Sequence, residues 1–444
     1  MKKKTRSALI TDIIVLVVVL IAVCVSMAFA ESVDIALGLA YKVPVYADLP
    51  SDIGAAPDKL KVHFVDVGQG DCAVIELPDG KTMLIDGGEN NKTVEGQIKT
   101  FVETTLPSGF KYFDYCILTH PDSDHCGSLD YALNNYPARI SYRPNVEAVG
   151  TKSSPYTDPG KADLKSGAVV KSTAAYANSI AAMYSPEADI DFTPEVRVTD
   201  PYDEAQTISG GSGADKYTFT FYSPLSDNYG TTESNASWND YSPVMVLEYK
   251  GFKYAMSGDA EEDNLHEFVE KTNAAKTDGV TDKYDAFDDG YCVNVIKAGH
   301  HGSVNATTSE YLEAITSPEG AGNAVVVISC GEDNKYGHPH DAAVQRYKAI
   351  GVADENILRT DKDGDITLSV RVSADGTAVM FHGSAALGTE KTGETTEYKK
   401  FGKVELKWVW LAWIVFAVVA VAVVIHIVIA IGSDGNKKSG RDRR

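Results

Sequence analysis

Short apolar runs recur through the middle of the chain, and most of them end on an aspartate or a histidine. Lys61-Val-His-Phe-Val-Asp-Val alternates as a strand does, and Gly68-Gln-Gly70-Asp71 turns it back. Cys72 to Leu77 predicts a second strand, Pro78-Asp79-Gly80-Lys81 a hairpin turn, and Thr82 to Ile85 a third strand that stops at Asp86-Gly87-Gly88. Helical spacing follows over Lys92–Thr105, then Tyr115-Cys116-Ile117-Leu118 reads as a strand. Further on, Tyr217–Tyr222 and Val244–Tyr249 are strand-like. Lys250-Gly251 joins the second of these to Phe252–Met256 as a hairpin that ends on Ser257-Gly258-Asp259. A helix over Glu261–Glu270 comes next, and a strand over Val293–Lys297 feeds Gly299-His300-His301-Gly302-Ser303. Ala324–Ser329 leads to Gly331–His340 and a helix from Asp341, and two strands close the series at 366–372 and 378–382. Strands that deliver acidic and histidine loops, with helices interspersed, predict an α/β layered fold with its site at one sheet edge.

Residues 136–215 break this rhythm. Segments 150–166 and 207–215 are rich in Ser, Gly, Pro and Asp, and only Lys171–Tyr184 keeps helical spacing, so the stretch is expected to be a variable insertion. Thr360-Asp361-Lys362-Asp363-Gly364-Asp365 looks at first like a calcium loop. Its glycine is at the wrong offset and no acidic residue closes it, so a turn is expected.

Two longer apolar stretches frame this body. Met-Lys-Lys-Lys-Thr-Arg precedes the run Ile13–Ala30, which closes on Ala28-Phe29-Ala30 and fits either a signal anchor or a cleaved signal peptide. Trp408 to Ile431 is apolar apart from His426, with Trp408, Trp410 and Trp413 at its leading edge and Lys437, Lys438, Arg441, Arg443 and Arg444 beyond it. Aromatic residues on one flank and basic ones on the other predict a transmembrane helix whose tail is cytoplasmic. The expected layout is a signal anchor or signal peptide at 1–30, a linker at 31–59 and a body at 60–385. A second linker at 386–406, a membrane helix at 407–432 and a basic cytoplasmic tail at 433–444 complete it. With the N-terminus read as an anchor, both ends are cytoplasmic and the bulk of the chain faces outward from the cell membrane.

Charge sharpens this picture. The net charge of the 444 residues is −21. With +3 set aside for residues 1–30 and +4 for 402–444, the body 31–401 carries −28. Such a body repels polyanions at long range, which argues against broad nucleic-acid coating but not against a metal-lined site that takes one phosphate. The six cysteines form no CxxC pair, which argues against a zinc ribbon or a disulfide scaffold.

The chemistry concentrates at Thr119-His120-Pro121-Asp122-Ser123-Asp124-His125, where two imidazoles and two carboxylates crowd one loop after an apolar strand. A structural role alone does not call for four such residues together, whereas a metal ion does. Asp86, Asp259, His300, His301, His338 and His340 each end a strand or follow one in the same manner. Taken singly, each could be a turn residue or a helix cap. Taken together, they fit one metal site.

The His-x-Asp-x-Asp-His pattern at 120–125 resembles the central motif of the metallo-β-lactamase fold superfamily, His-x-His-x-Asp-His, with Asp122 at the second histidine. Together with His63-Phe-Val-Asp-Val-Gly-Gln-Gly-Asp71, Asp86-Gly-Gly, Ser257-Gly-Asp259, His300-His-Gly-Ser303, Tyr336-Gly-His-Pro339 and Thr360-Asp361, it resembles the hydrolase domain of ComEC-type competence proteins over roughly 60–383. The resemblance implies an αββα sandwich with a dinuclear site of two divalent ions, Mn2+ or Zn2+, between its sheets. His120 and Asp122 would hold the first ion, Asp124 and His125 the second, and Asp259 would bridge them. His300 is favoured over His301 to complete the second site, and Asp124 would also orient or deprotonate the water. The first-site histidine that the superfamily places before the Asp259 strand is absent, its loop offering Asn239 and Asp240 instead. Asp86, Asn239, His301 and His338 stand as additional metal or substrate contacts.

Oxygen-rich sites favour Mn2+ or Mg2+, and paired ions suit phosphodiester cleavage. The expectation is therefore a tethered extracytoplasmic phosphodiesterase or nuclease, acting on a phosphodiester such as DNA, with no nucleotide cofactor and no protein partner specified. ComEC-type proteins also carry a multi-helix channel domain, and the two membrane segments here do not make one. Two other readings share the fold: a hydrolase of a small ester, lactone or lactam, and a non-catalytic binding module on a degenerate metallohydrolase scaffold.

Overall fold

The structure is a computed structural model. It describes residues 40–44 and 49–400, apart from 166–167, 202, 204–205, 225–236, 279–282, 288–290, 318–321, 323, 384 and 391–395. The apolar stretches at 13–30 and 408–431, the linker 401–406 and the basic tail lie outside the described residues. Among those described, no helix is long and apolar enough to cross a membrane. The chain divides into a unit of residues 1–42 with 398–444 and a unit of residues 43–397, and the second carries everything that follows.

That unit is built on two mixed sheets. The first holds nine strands in the order β16-β15-β14-β1-β2-β3-β4-β5-β6. In chain order these are β1 (Asp58–Phe64), β2 (Ala73–Glu76), β3 (Thr82–Ile85), β4 (Phe113–Ile117), β5 (Ala138–Arg143), β6 (Glu195–Val198), β14 (Ile366–Val372), β15 (Ala378–His382) and β16 (Ala385–Glu390). The second sheet runs in chain order from β7 to β13. Its strands are β7 (Ile208–Gly210), β8 (Tyr217–Phe221), β9 (Met245–Tyr249), β10 (Phe252–Met256), β11 (Val295–Lys297), β12 (Val325–Ile328) and β13 (Ile357–Arg359). Pairing is antiparallel from β14 through β1 and β2 to β3 and parallel from β3 to β6. The second sheet repeats the switch, antiparallel from β7 to β10 and parallel from β10 to β13.

Alternation along single strands explains the layering. Met83 and Ile85 enter a core shared with Leu247, Tyr254, Met256 and Val327 of the other sheet, while Leu84 between them packs with Ile98 and Phe101 of α1 (Lys92–Thr105). In the second sheet Met245 and Leu247 face the shared core, and Val246 joins Leu265 and Phe268 of α4 (Glu262–Asp278). Both faces of each sheet are thus apolar, as sheets covered by helices on the outside require. The result is the αββα sandwich that the resemblance implies.

Local signals set several boundaries. The Asn91 side chain accepts from the amides of Thr93 and Val94 and caps α1, whose Val94, Ile98, Phe101 and Val102 form the buried stripe. Lys250 and Gly251 both lie at positive φ, 55° and 84°, the pair of values that a two-residue hairpin needs between Tyr249 and Phe252. The segment 136–215, read as an insertion, instead supplies β5 and β6 to the first sheet and β7 to the second. It also supplies α2's continuation: α2 (Leu129–Asn135) packs on α3 (Ala174–Tyr184). The Thr360–Asp363 stretch is one short helical turn, in line with the turn expected there.

Candidate metal centre

The carboxyl ends of β3, β4, β10, β11 and β12 meet at one edge of the sandwich, where parallel strands leave their loops free to converge. β3 delivers Asp86, β4 delivers Thr119 and His120, β10 delivers Asp259, and β11 delivers His300 and His301. The loops are tied to each other through the backbone. The amide of Asp71 donates to the carbonyl of Asp124 at 3.1 Å, that of Gly87 to His125 at 2.7 Å, and that of His300 to Gly258 at 3.0 Å. Two glycines are required by these close approaches. A Cβ on Gly70 would lie 2.6 Å from the Asp124 carbonyl oxygen, and one on Gly258, at φ +50°, would lie 2.8 Å from Thr119 Cβ.

His120, His125 and His301 are at most 1% exposed, and one hydrogen-bond relay fixes which nitrogen each presents. Nδ1 of His125 donates to Asp86 Oδ2 at 2.8 Å, because a carboxylate only accepts. Thr119 spends its single hydroxyl proton on the same oxygen at 2.7 Å, so its oxygen accepts from Nδ1 of His120 at 3.1 Å. Nδ1 of His301 donates to the carbonyl of Ser329 at 3.0 Å. All three imidazoles therefore turn Nε2 toward the centre, and all three Nε2 atoms, with Asp259 Oδ1, are buried without a hydrogen-bond partner.

Four groups surround one point. Candidate ligand atoms of Asp71, His125, Asp259 and His301 lie within 4.8 Å of one another. His125 Nε2 is 3.1 Å from Asp259 Oδ1 without being aligned as its hydrogen bond. His301 Nε2 is 3.4 Å from Asp124 Oδ2 and 3.6 Å from Asp259 Oδ2. Donors that crowd together but face a third body fit a cation, and two neutral imidazoles with carboxylates suit a first-row divalent ion. The residues present thus fit a divalent metal at His125, Asp259 and His301, with Asp71 in the same cluster and Asp124 beside His301 Nε2 on the cleft side.

Asp71 serves this position from behind. Lys297 Nζ holds its Oδ2 at 2.8 Å, and its Oδ1 is 3.3 Å from Nδ1 of His301, the nitrogen that points away from the centre. Partners of this kind orient metal-binding imidazoles. Burial opposes the charged forms here, and the pairings overcome it. Asp259 and Asp86 raise His125 well above the usual histidine range despite its burial. Asp259 and Asp71 bring His301 to about 10. Asp124 falls to about 2 through its close pairing with His301, again against burial. His120 goes the other way, lowered by burial and by the nearby His125.

The remaining expected residues sit around this point. Of the two adjacent histidines it is His301 that enters the cluster. His300 lies beside it, Nδ1 3.0 Å from Glu261 Oε1 and Nε2 3.7 Å from Asp259 Oδ2. Both have positive φ, 45° and 54°, an uncommon conformation for a residue with a side chain. Asp122 is the N-cap of the short helical turn Ser123–Cys126 and is held by Lys171 Nζ at 2.5 Å. Asn239 donates to Glu261 Oε1 at 2.9 Å. Asp240 is buried and accepts from the amide of Glu261, so it caps α4 instead of facing the centre. Asp86 has both oxygens committed to Thr119 and His125 and is a positioning residue. His338 packs its ring edge-on to His300 at 5.2 Å and against Tyr336 at 5.7 Å. Asp122, Asp124, Asn239, His300, Tyr336 and His338 line an open cleft over the metal position.

Sequence reasoning did not select Asp71, Thr119, Lys297, Lys171 or Ser242, whose hydroxyl oxygen accepts from the Asp259 amide at 3.1 Å and lies 3.2 Å from His120 Nδ1. Asp71 was the most accessible of these, an aspartate closing a glycine turn after the first strand. The others act through hydroxyls and an ammonium, which carry no metal-ligand signature.

Fold and site resemble those of the metallo-β-lactamase superfamily, and residues 65–226 match the model of the metallo-beta-lactamase superfamily. The chain is also similar to a ComE protein. It is 24% identical over 319 residues to ComE operon protein 3 of Bacillus subtilis (strain 168), an alignment covering 69% of this chain and 32% of that protein. The chain thus matches less than two thirds of the length of its curated relative. Among solved structures, a mutant of CmlA beta-hydroxylase is similar at a TM-score of 0.28 and 16% identity, over 61% of this chain and 39% of that one. Metallo-beta-lactamase SMB-1 bound to 2-mercaptoethanesulfonate is similar at a TM-score of 0.28 and 12% identity, over 59% and 90%.

Proposed function

We propose that the protein is a metal-dependent phosphodiesterase, tethered to the cell membrane with its catalytic body outside, and that single-stranded DNA is the first substrate to test. The observation that carries the reading is the convergence of Asp71, His125, Asp259 and His301 within 4.8 Å, with Asp124 Oδ2 3.4 Å from His301 Nε2 and with two imidazole Nε2 atoms and a carboxylate oxygen left unsatisfied there. A divalent ion, Mn2+ or Zn2+, would supply Lewis acidity and a hydroxide near neutral pH at that point. Asp124, partly open to the cleft, is placed to orient or deprotonate the attacking water. Asp122 in place of a histidine is paired with Lys171 Nζ at 2.5 Å, which sets a cation at the cleft beside the metal position and supports an anionic phosphodiester over a lactam. The body's charge of −28 means that phosphate approach depends on local cations, and His300, whose charged form Asp259 and Glu261 favour against its burial, faces the same cleft.

Membrane tethering rests on Ile13–Ala30 and Trp408–Ile431, with basic residues on the same side at both ends. An alkaline-phosphatase fusion after Lys400 is expected to be active, and an inactive one would overturn the outward orientation. For the chemistry, the purified full chain loaded with Mn2+ or Zn2+ should cleave bis-p-nitrophenyl phosphate and single-stranded DNA, and Asp124→Ala should abolish both. A metal-loaded chain that cleaves neither overturns the hydrolase reading.

A further inference from the structure

The two metal positions implied by the resemblance do not fare alike. The one at Asp124, His125, Asp259 and His301 has its donors assembled. The other, at His120 and Asp122, does not fit a second ion. Its carboxylate is already neutralised by Lys171 Nζ, 2.5 Å from Asp122 Oδ1. His120 Nε2 is 3.9 Å from Asp122 Oδ2. The loop that would bring a third donor brings Asn239, whose amide is turned to Glu261 at 2.9 Å, and Asp240, which caps a helix. Apart from Asp259, which it would share with the other position, a divalent ion placed there would meet one imidazole, one occupied carboxylate and a full positive charge beside it.

The lysine is held from two directions. Its ammonium stands 4.5 Å above the Trp238 ring while it pairs with Asp122, and its side chain is 14% exposed. Partial burial against an indole face strengthens a cation's attachment. The fold delivers it through a dedicated module. Lys171 ends the short strand Val169–Lys171, paired in parallel with Val146–Ala148. Two residues later Thr173 caps α3, and Ser179 of α3 donates to the carbonyl of Cys126 at 2.6 Å, in the ligand-bearing turn itself. The part of the chain that looked like an insertion thus docks on the 120–125 loop and places one ammonium in it.

We propose that the Lys171 ammonium takes the place of the first metal ion, so that the chain binds a single divalent ion and neutralises the substrate's anionic group with that ion and Lys171 together. The metal count stands independently of the hydrolase reading; only the role toward a phosphate rests on it.

The test is the metal content of the full chain saturated with Mn2+, by elemental analysis and electron paramagnetic resonance. Wild type should hold one Mn2+ per chain with the resolved hyperfine pattern of an isolated ion. Lys171→Met, which keeps the aliphatic stem on Trp238 but frees Asp122, should bind twice as much Mn2+ and show an exchange-coupled pair. Lys171→Arg retains the charge and should stay at one, which guards against a Lys171→Met variant that fails to fold. Two Mn2+ per wild-type chain, or a folded Lys171→Met that still binds one, overturns the proposal. Turnover is read separately: one bound Mn2+ without hydrolysis upholds the metal count while sinking the phosphodiesterase.

Discussion

Asp86 Oδ2 accepts a hydrogen bond from His125 Nδ1 at 2.8 Å, with both side chains at most 1% exposed. The same oxygen receives the Thr119 hydroxyl, which in turn accepts from His120. One carboxylate therefore sets the tautomer of two imidazoles on the facing strand loop without reaching the metal position itself.

Asp86→Ala should consequently weaken metal binding by about 10–100-fold, the usual cost of removing a group that orients a ligating histidine. Chelator competition measures it directly. Turnover at saturating metal should recover in large part, which separates Asp86 from Asp124, whose loss metal cannot repair.

Protons and metal compete at this site. His125 and His301 are both raised above the usual 6.5, His301 to about 10, so at neutral pH the metal-free protein carries protons on nitrogens that a metal needs bare. A raised folded pKa stabilises the metal-free protein fully below about 6.5, the unfolded value, and that contribution is lost as pH rises toward about 10. Metal affinity moves oppositely and falls as pH falls. Adding Mn2+ should therefore raise Tm more at pH 8 than at pH 6, and calorimetry in buffers of different ionisation enthalpy should detect protons released on binding. A Tm shift independent of pH would contradict these assignments.

The parts of this site that sequence could reveal are those whose chemistry is written in residue type. The 120–125 cluster, Asp259 after its strand and the layered α/β class followed from apolar runs ending in ligand residues, because alternation and loop chemistry are local, whereas the αββα order came with the family resemblance. The choice between His300 and His301 was not local. It depends on two successive positive φ values and on the Ser329 carbonyl that receives Nδ1 of His301. Residues 136–215 were illegible for a similar reason. β5 and β6 are short and partly buried, and β6 has a polar, half-exposed face, so neither has a strong pattern of its own; each is a strand because a parallel neighbour pairs with it. Lys171 gave no signal at all, since a lysine in a loop-rich segment normally points to water.

That segment is held by Arg143 at the end of β5. Its guanidinium makes a two-pronged contact with Asp158, 2.8 and 2.6 Å, and both side chains are fully buried. Removing one partner of a buried pair leaves the other charge stranded, at a cost of about 3–5 kcal/mol. Asp158→Ala should lower the urea midpoint of the full chain by a corresponding amount, followed by circular dichroism. Because Asp158 is held below the usual carboxylate range, against burial and mainly by Arg143, its contribution is present at neutral pH and is lost as pH falls through its folded value. The difference between wild type and Asp158→Ala should therefore shrink in acid.

The two adjacent histidines allow the sharpest contrast. His301 Nε2 stands with Asp124 and Asp259, whereas His300 is anchored to Glu261 and faces the cleft with 23% of its side chain exposed. His301→Ala should abolish binding of the ion, because it deletes a donor and leaves Asp71, Asp124 and Asp259 crowding one another. His300→Ala should leave metal content at the wild-type level and reduce phosphodiester turnover, since it removes a cationic group from the cleft while the ligand set stays whole. His300 is raised above the usual histidine range, against burial, by Asp259 and Glu261, which favours its charged form beside the cleft. Metal analysis of the two variants side by side decides the matter: loss of the ion from His300→Ala with retention in His301→Ala would reverse the assignment of the ligand.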